Sequence, residues 1–184
     1  QLFYNFGKNV RQRAGISAEF GQLYNLDTRN NGTHFAFAAH YELYWKAVSL
    51  KAQVSTYALY PKNAPGEDRA LVMMTAYGAP YQVATKGNIY TFSPSYTFYI
   101  NKKWIQSIQV YNDFGILQKW NKQFRDSYQN VSGCMLTMGP VCTYIDYALG
   151  KHQAWLGPDW DAFGPGTGSN SWHARFNVNV GYYF

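Results

Sequence analysis

Residues Trp172 to Phe184 read WHARFNVNVGYYF. Trp172, Ala174, Phe176, Val178, Val180, Tyr182 and Phe184 stand at alternate positions. A strand turns successive side chains to opposite faces, so these residues share one side. His173, Arg175, Asn177, Asn179, Gly181 and Tyr183 share the other, and only Tyr183 among them is large and apolar. The stretch predicts a strand with an apolar and a polar face.

The same period of two recurs upstream. Phe35, Phe37, Ala39, Tyr41, Leu43 and Trp45 oppose His34, Ala36, Ala38, His40, Glu42 and Lys46. Val48, Leu50, Ala52, Val54 and Ala58 oppose Ser49, Lys51, Gln53 and Ser55. Tyr90, Phe92, Tyr96, Phe98 and Ile100 form a further apolar row, and Val141, Ile145, Tyr147 and Leu149 another. Weaker strands are expected over Gly15–Leu26, Leu71–Val83, Trp104–Lys119 and Asn130–Met138, with a short one over Leu2–Val10. The total is nine or ten strands of roughly 9–14 residues, about what a tilted strand needs to cross a bilayer. Lys86-Gly87-Asn88, Asn101-Lys102-Lys103 and Gly139-Pro140 read as tight turns, and about Gln153 to Ser171 as the longest connection. Two features resist the pattern. Pro94 lies on the apolar side of a good strand, where a bulge is expected. Counting strands up and down also fails before Asn101, which points to a miscounted strand near Gly78 to Lys86.

Composition narrows the class. The 184 residues suffice for a single domain over 1–184. No run of eighteen apolar residues exists, which excludes a membrane-spanning helix. Aromatic residues make up 19% and charged residues only 14%, an unusual balance for a water-facing surface. Alternating faces cancel in a hydropathy average, so the mean hydropathy of −0.38 does not speak against a membrane. Trp45, Tyr60, Trp104, Trp120, Trp155 and Trp172 fall near the expected strand boundaries, as an interfacial girdle requires. The fold expected is therefore all-β: an antiparallel transmembrane β-barrel in contact with a lipid bilayer. A soluble sandwich or lipocalin-like barrel, with the apolar face turned inward, is the alternative.

The last strand resembles the C-terminal assembly signal of bacterial outer-membrane proteins. Phe176, Val178, Val180, Tyr182 and Phe184 fill that pattern, with Asn179 where Gly is frequent. The resemblance implies recognition by the outer-membrane insertion machinery. PSYTFYINKKW (Pro94 to Trp104), VYNDFG (Val110 to Gly115), NVSG (Asn130 to Gly133), YIDYALGKHQAWLG (Tyr144 to Gly157) and FNVNVGYYF (Phe176 to Phe184) resemble the C-terminal half of Gram-negative porins of the phosphate-selective type. That family forms barrels of typically sixteen or eighteen strands, often trimeric. The resemblance implies an outer-membrane location, a passive channel for small hydrophilic solutes, and a chain that is the C-terminal portion of a longer one. No family site residue carries over.

Candidate site residues follow from parity. Lys46, Lys51, His173 and Arg175 point away from the apolar face, with Lys86 a further candidate, and a ring of such cations would favour anions. Asp146, Asp113, Glu42 and Glu19 share that side, so its sign is mixed. Cys134 and Cys142 flank the Met138–Gly139 turn, and a cross-strand disulfide between them is expected if the turn has three residues. Asp159 and Asp161 have too few companions for a calcium loop. No catalytic set or cofactor motif is present, and the dispersed basic residues speak against nucleic acid. Two other readings remain: a small closed barrel with enzyme or adhesin activity in its loops, and a soluble all-β binding protein.

Overall fold

The computed structural model describes residues 1–76 and 78–184, and among these every regular element is a strand. In chain order they are β1 (Leu2–Phe6), β2 (Arg11–Asn25), β3 (Asn30–Trp45), β4 (Val48–Tyr60), β5 (Leu71–Ala76), β6 (Ala79–Ala84), β7 (Lys86–Tyr99), β8 (Ser107–Lys119), β9 (Ser127–Met138), β10 (Val141–Lys151) and β11 (His173–Tyr182). Nine of them form one antiparallel meander in the order β1-β2-β3-β4-β7-β8-β9-β10-β11. The sheet is not closed: β1 pairs only with β2, and β11 only with β10.

The failed strand count has a simple cause. β4 pairs directly with β7, from Val48↔Tyr96 to Ala58↔Lys86. The expected Leu71–Val83 strand (Tyr77 within it lies outside the described residues) is instead two short arms, β5 and β6, paired with each other from Leu71↔Ala84 to Ala76↔Ala79. This hairpin belongs to one long connection, 61–85, beyond the sheet. Lys86-Gly87-Asn88 is the start of β7 and not a turn. With that correction the connections sort by end. Residues 7–10, 46–47, 100–106 and 139–140 join strands at one end. Residues 26–29, 61–85, 120–126 and 152–172 join them at the other, and these include the two longest connections, 61–85 and 152–172.

The tight turns rest on local chemistry. Asn25 accepts bonds from the backbone N–H groups of Asp27 (2.9 Å) and Thr28 (3.0 Å), an Asx-turn. Gly139, at φ 61°, makes a two-residue link in which Met138 faces Val141. That link sets the cysteines apart. Cys134 stands opposite Ile145 and Val110, on the aromatic face. Cys142 stands opposite Thr137 and Gly181, on the polar face. The disulfide expected from a three-residue turn is thus not formed, and both thiols are free, because one residue of register moves a side chain across the sheet. Pro94 causes no bulge either. The β7–β8 pairs Phe92↔Phe114 and Ser95↔Tyr111 keep one register, and the ladder lapses only between them.

The two faces differ as the alternation demands. Pairing places Phe20, Phe37, Tyr41, Val54, Phe92, Val110, Tyr147 and Phe176 on one face, and all are exposed, Phe20 to 80% and Phe176 to 66%. One polar patch interrupts this face: Asn112 donates to Asn130 and Ser132, each at 2.9 Å. Among the described residues no second layer covers the aromatic side. The accessible surface is 11945 Å² for 21.1 kDa, whereas a compact monomer of that mass exposes about 9,000 Å².

What core exists sits among the long connections. Buried Ala58, Leu59, Val83, Ala84, Leu117, Ala154, Leu156 and Ala162 come from strand ends and from residues 152–172. Trp155 is part of this region and not of a strand boundary: it packs on Trp160 (4.5 Å) and Tyr81 (5.7 Å). The register yields a direct check. Thiol titration of the unfolded protein without reductant should count two free cysteines per chain; a single one or none would contradict this pairing.

Candidate functional site

The polar face carries the candidate site, and the pairing register arranges it in rows. One row runs from Arg11 through Tyr44, Ser49 and Ser95, then on through Tyr111, Gly133, Asp146 and Asn177. The next holds Arg13, Glu42, Lys51 and Ser93 on one flank. On the other flank it holds Asp113, Val131, Ala148 and Arg175. A third row includes His40, Gln53, Thr91 and Gln129 and ends at His173. Many of the ionisable residues on this face thus fall in a belt across the sheet, with Glu19, His34 and Lys119 outside it.

The expected residues fall into this frame unevenly. Asp146 lies in the first row, Lys51 and Arg175 in the second and His173 in the third. Lys51 and Arg175 are on distant strands, β4 and β11, and the open sheet does not bring them together. Lys46 is in the β3–β4 turn at φ 52°, with its ammonium 5.3 Å from the centre of the Trp45 ring. Lys86 pairs with Ala58 and so belongs to the aromatic face, where its ammonium stacks 4.4 Å from the Tyr60 ring. Phe176, Val178, Val180 and Tyr182 line one exposed row of β11, and Phe184 extends past its end.

Local contacts fix several of these groups. The Tyr111 hydroxyl donates to the Asp146 carboxylate across β9. The bond spans a strand because Gly133 lies between: a Cβ there would run into both the Tyr111 ring and Asp146 Oδ1. Arg13 donates through Nε to Asn5 at 2.9 Å and stacks on Phe3. Arg11 covers the Tyr44 ring at 4.4 Å, and Tyr44 donates to Glu42 at 2.9 Å. His34 Nε2 and Glu19 Oε1 lie 3.0 Å apart, within hydrogen-bond distance.

A cleft of about 510 Å³ opens on this face between Tyr44 of β3 and Tyr144 of β10. Those strands are five spacings apart, about 24 Å in a flat sheet, so the sheet curves around the cleft. Its walls carry hydroxyl and amide groups, among them Ser93, Ser95, Thr97 and Gln109, together with Lys51 and Asp113. Gln109 is held by Ser95 (3.3 Å) and Thr97 (3.2 Å).

Residues 152–172 cross the end of the sheet that bears the long connections. Trp160 Nε1 donates to the Pro80 carbonyl, Asp161 accepts from the Gln82 N–H, and Lys119 Nζ donates to the Ala162 carbonyl at 3.3 Å. Ser127 donates to the His152 carbonyl at 2.6 Å. Asp159 accepts from the N–H of Asp161 at 3.1 Å, so the two aspartates serve the fold of the connection. Among the described residues no cluster of three or more metal-ligating side chains occurs.

Arg11, Arg13 and Tyr111 are missing from the expected set. Alternation within Arg11–Asn25 would have found the two arginines had the strand been started at Arg11 and not at Gly15. Nothing in the sequence announces the Tyr111–Asp146 bond, which joins residues 35 apart. Comparison with protein families, with curated proteins and with solved structures finds no match.

The Gly133 crossing can be tested against a glycine with space around it. Gly133→Ala should cost about 1–3 kcal/mol of stability in denaturant unfolding, as an overpacked site does. Gly115→Ala, whose added Cβ meets nothing closer than 3.9 Å, should cost clearly less. Equal effects would argue against the bond.

Proposed function

We propose that the chain is part of a bacterial outer-membrane porin, a passive channel for small hydrophilic solutes. The observation that carries this reading is the uncovered aromatic face. Water would leave that surface as a large apolar patch, far beyond the few hundred Å² that soluble monomers expose. Hydrocarbon covers it at no such penalty. The Asn112–Asn130–Ser132 patch is hydrogen-bonded within itself, which limits its cost against lipid.

Dimensions agree. From Val48 to Tyr60, β4 advances twelve residues, about 40 Å along the strand. At the 35–45° tilt of such barrels this gives a height of roughly 28–32 Å, enough for an apolar band and its aromatic girdles. Trp45 and Trp104 lie at the short-turn end of the sheet, and Tyr60, Trp120 and Trp172 at the opposite end. In this reading the short turns face the periplasm and the long connections face outward. The first and ninth strands of the meander run in the same direction, so antiparallel closure takes an odd number of further strands. Seven would complete a sixteen-stranded barrel and nine an eighteen-stranded one, wide enough for a water-filled pore. The row Phe176 to Phe184 then serves the insertion machinery.

The polar face becomes the pore wall. Its accessible cations are Arg11, Arg13, Lys51 and Arg175, with Lys46 lining the cleft from the β3–β4 turn, against Glu19, Glu42, Asp113 and Asp146. Five cations against four anions give a slight anion preference.

Val54, 51% exposed at the centre of β4, separates the membrane reading from a soluble one. Val54→Lys should destabilise by about 2–4 kcal/mol in a bilayer-embedded barrel, measured by denaturant titration in lipid vesicles. In a soluble protein the same change at an exposed site stays within about 0.5 kcal/mol. Planar-bilayer recordings of the full-length protein should show conductance, with a reversal potential displaced slightly toward that of chloride. Absence of conductance, or a protein that purifies without detergent, would remove the channel reading.

A further inference from the structure

We infer that the 510 Å³ cleft on the polar face binds a small dipolar solute carrying one carboxylate and one ammonium group, of the amino-acid type. Two of its ionisable side chains set the chemistry. Lys51 projects from β4 and Asp113 from β8, with β7 between them. Both line the cleft, and neither takes part in an ion pair or side-chain hydrogen bond among the described residues. The other charged groups nearby are engaged: Lys46, which also lines the cleft, lies over the Trp45 ring, Asp146 is held by Tyr111, Glu42 by Tyr44 and Arg13 by Asn5. The cleft thus holds an unpaired cation on one wall and an unpaired anion on the other.

Spacing selects the ligand. Two strand spacings separate the backbones of Lys51 and Asp113 by about 10 Å. The long, flexible Lys51 stem can set its ammonium at a range of distances from the Asp113 carboxylate, and an α-amino acid bridging the two charges needs roughly 8–9 Å, counting a charge-assisted bond of about 2.8 Å at each end. Its carboxylate meets the Lys51 ammonium, and its ammonium meets the Asp113 carboxylate. Ser93, opposite Lys51 in the ladder, presents a hydroxyl between the two. A simple anion would satisfy Lys51 but stand against Asp113, and a simple cation would have the reverse problem. A neutral polyol would leave both charges unmatched.

As the identity of a permeant solute this rests on the channel reading; as binding to the cleft it does not. The test therefore uses two measurements on the full-length protein. Saturation-transfer NMR in detergent reports binding of L-serine, with acetate, methylammonium and glucose as comparators. Current block by L-serine in planar bilayers reports the same event in the pore. L-serine should bind more tightly than any comparator. Lys51→Met and Asp113→Asn should each weaken it at least tenfold, and Lys51→Arg should retain it. Comparable binding of acetate or glucose would overturn the inference. So would an effect of only one of the two substitutions, or a loss in Lys51→Arg equal to that in Lys51→Met. Conductance without saturable L-serine binding sinks this inference and leaves the channel standing. Binding without conductance does the reverse.

Discussion

The fold depends on one constraint: a single sheet must satisfy its backbone laterally while each strand shows apolar side chains on one face and polar ones on the other. Strand pairing in the main sheet meets the first demand except at the outer edges of β1 and β11, along β2 from Ser17 to Asn25, where β1 no longer reaches, and at the short lapse beside Pro94. Nothing within the described residues meets the second, because no helix or further sheet packs on the aromatic side. A soluble sandwich solves this with a facing sheet. Among the described residues the compact apolar packing lies at strand ends, beneath the long connections. The medium or partner that touches Phe20, Val54 and Phe176 is thus part of the energetics of the fold.

The long connections are ordered by specific contacts and do not hang free. The 152–172 segment ties β10 and β11 to the β5–β6 hairpin through Trp160 and Asp161. It meets the 120–126 connection through a backbone bond from Arg125 to Pro165. Gly166, at φ 77°, approaches the Arg125 backbone where a side chain would collide. In the proposed barrel these contacts would narrow one mouth, while the opposite end keeps short links. In that proposal the polar face between the two ends would be the place where selectivity is set, through the belt that holds Lys51, Asp113, Asp146 and Arg175.

The site was partly legible in the sequence, and the failures are instructive. Parity alone placed Lys51, Asp146, His173 and Arg175 on the polar side, since period two survives any error in strand pairing. It did not foresee that Lys46 sits in a turn, from which it lines the polar-face cleft, and it misled for Lys86, which follows a hairpin that the alternation had fused into one strand. It gave no access to Tyr111–Asp146. That bond depends on a glycine in the strand between them and on a register that no local pattern encodes.

By itself the sequence determined the strands, their apolar and polar faces and the positions of most turns, because these are local consequences of side-chain alternation and turn chemistry. Only the tertiary structure decided which strands are neighbours and in what register. It showed that β4 meets β7, that the two cysteines stand on opposite faces, and that Lys51 and Asp113 share one cleft. The physical reason is that a ladder shifted by a single residue, or a hairpin folded out of the sheet, leaves the local sequence pattern unchanged while moving every side chain to a new partner.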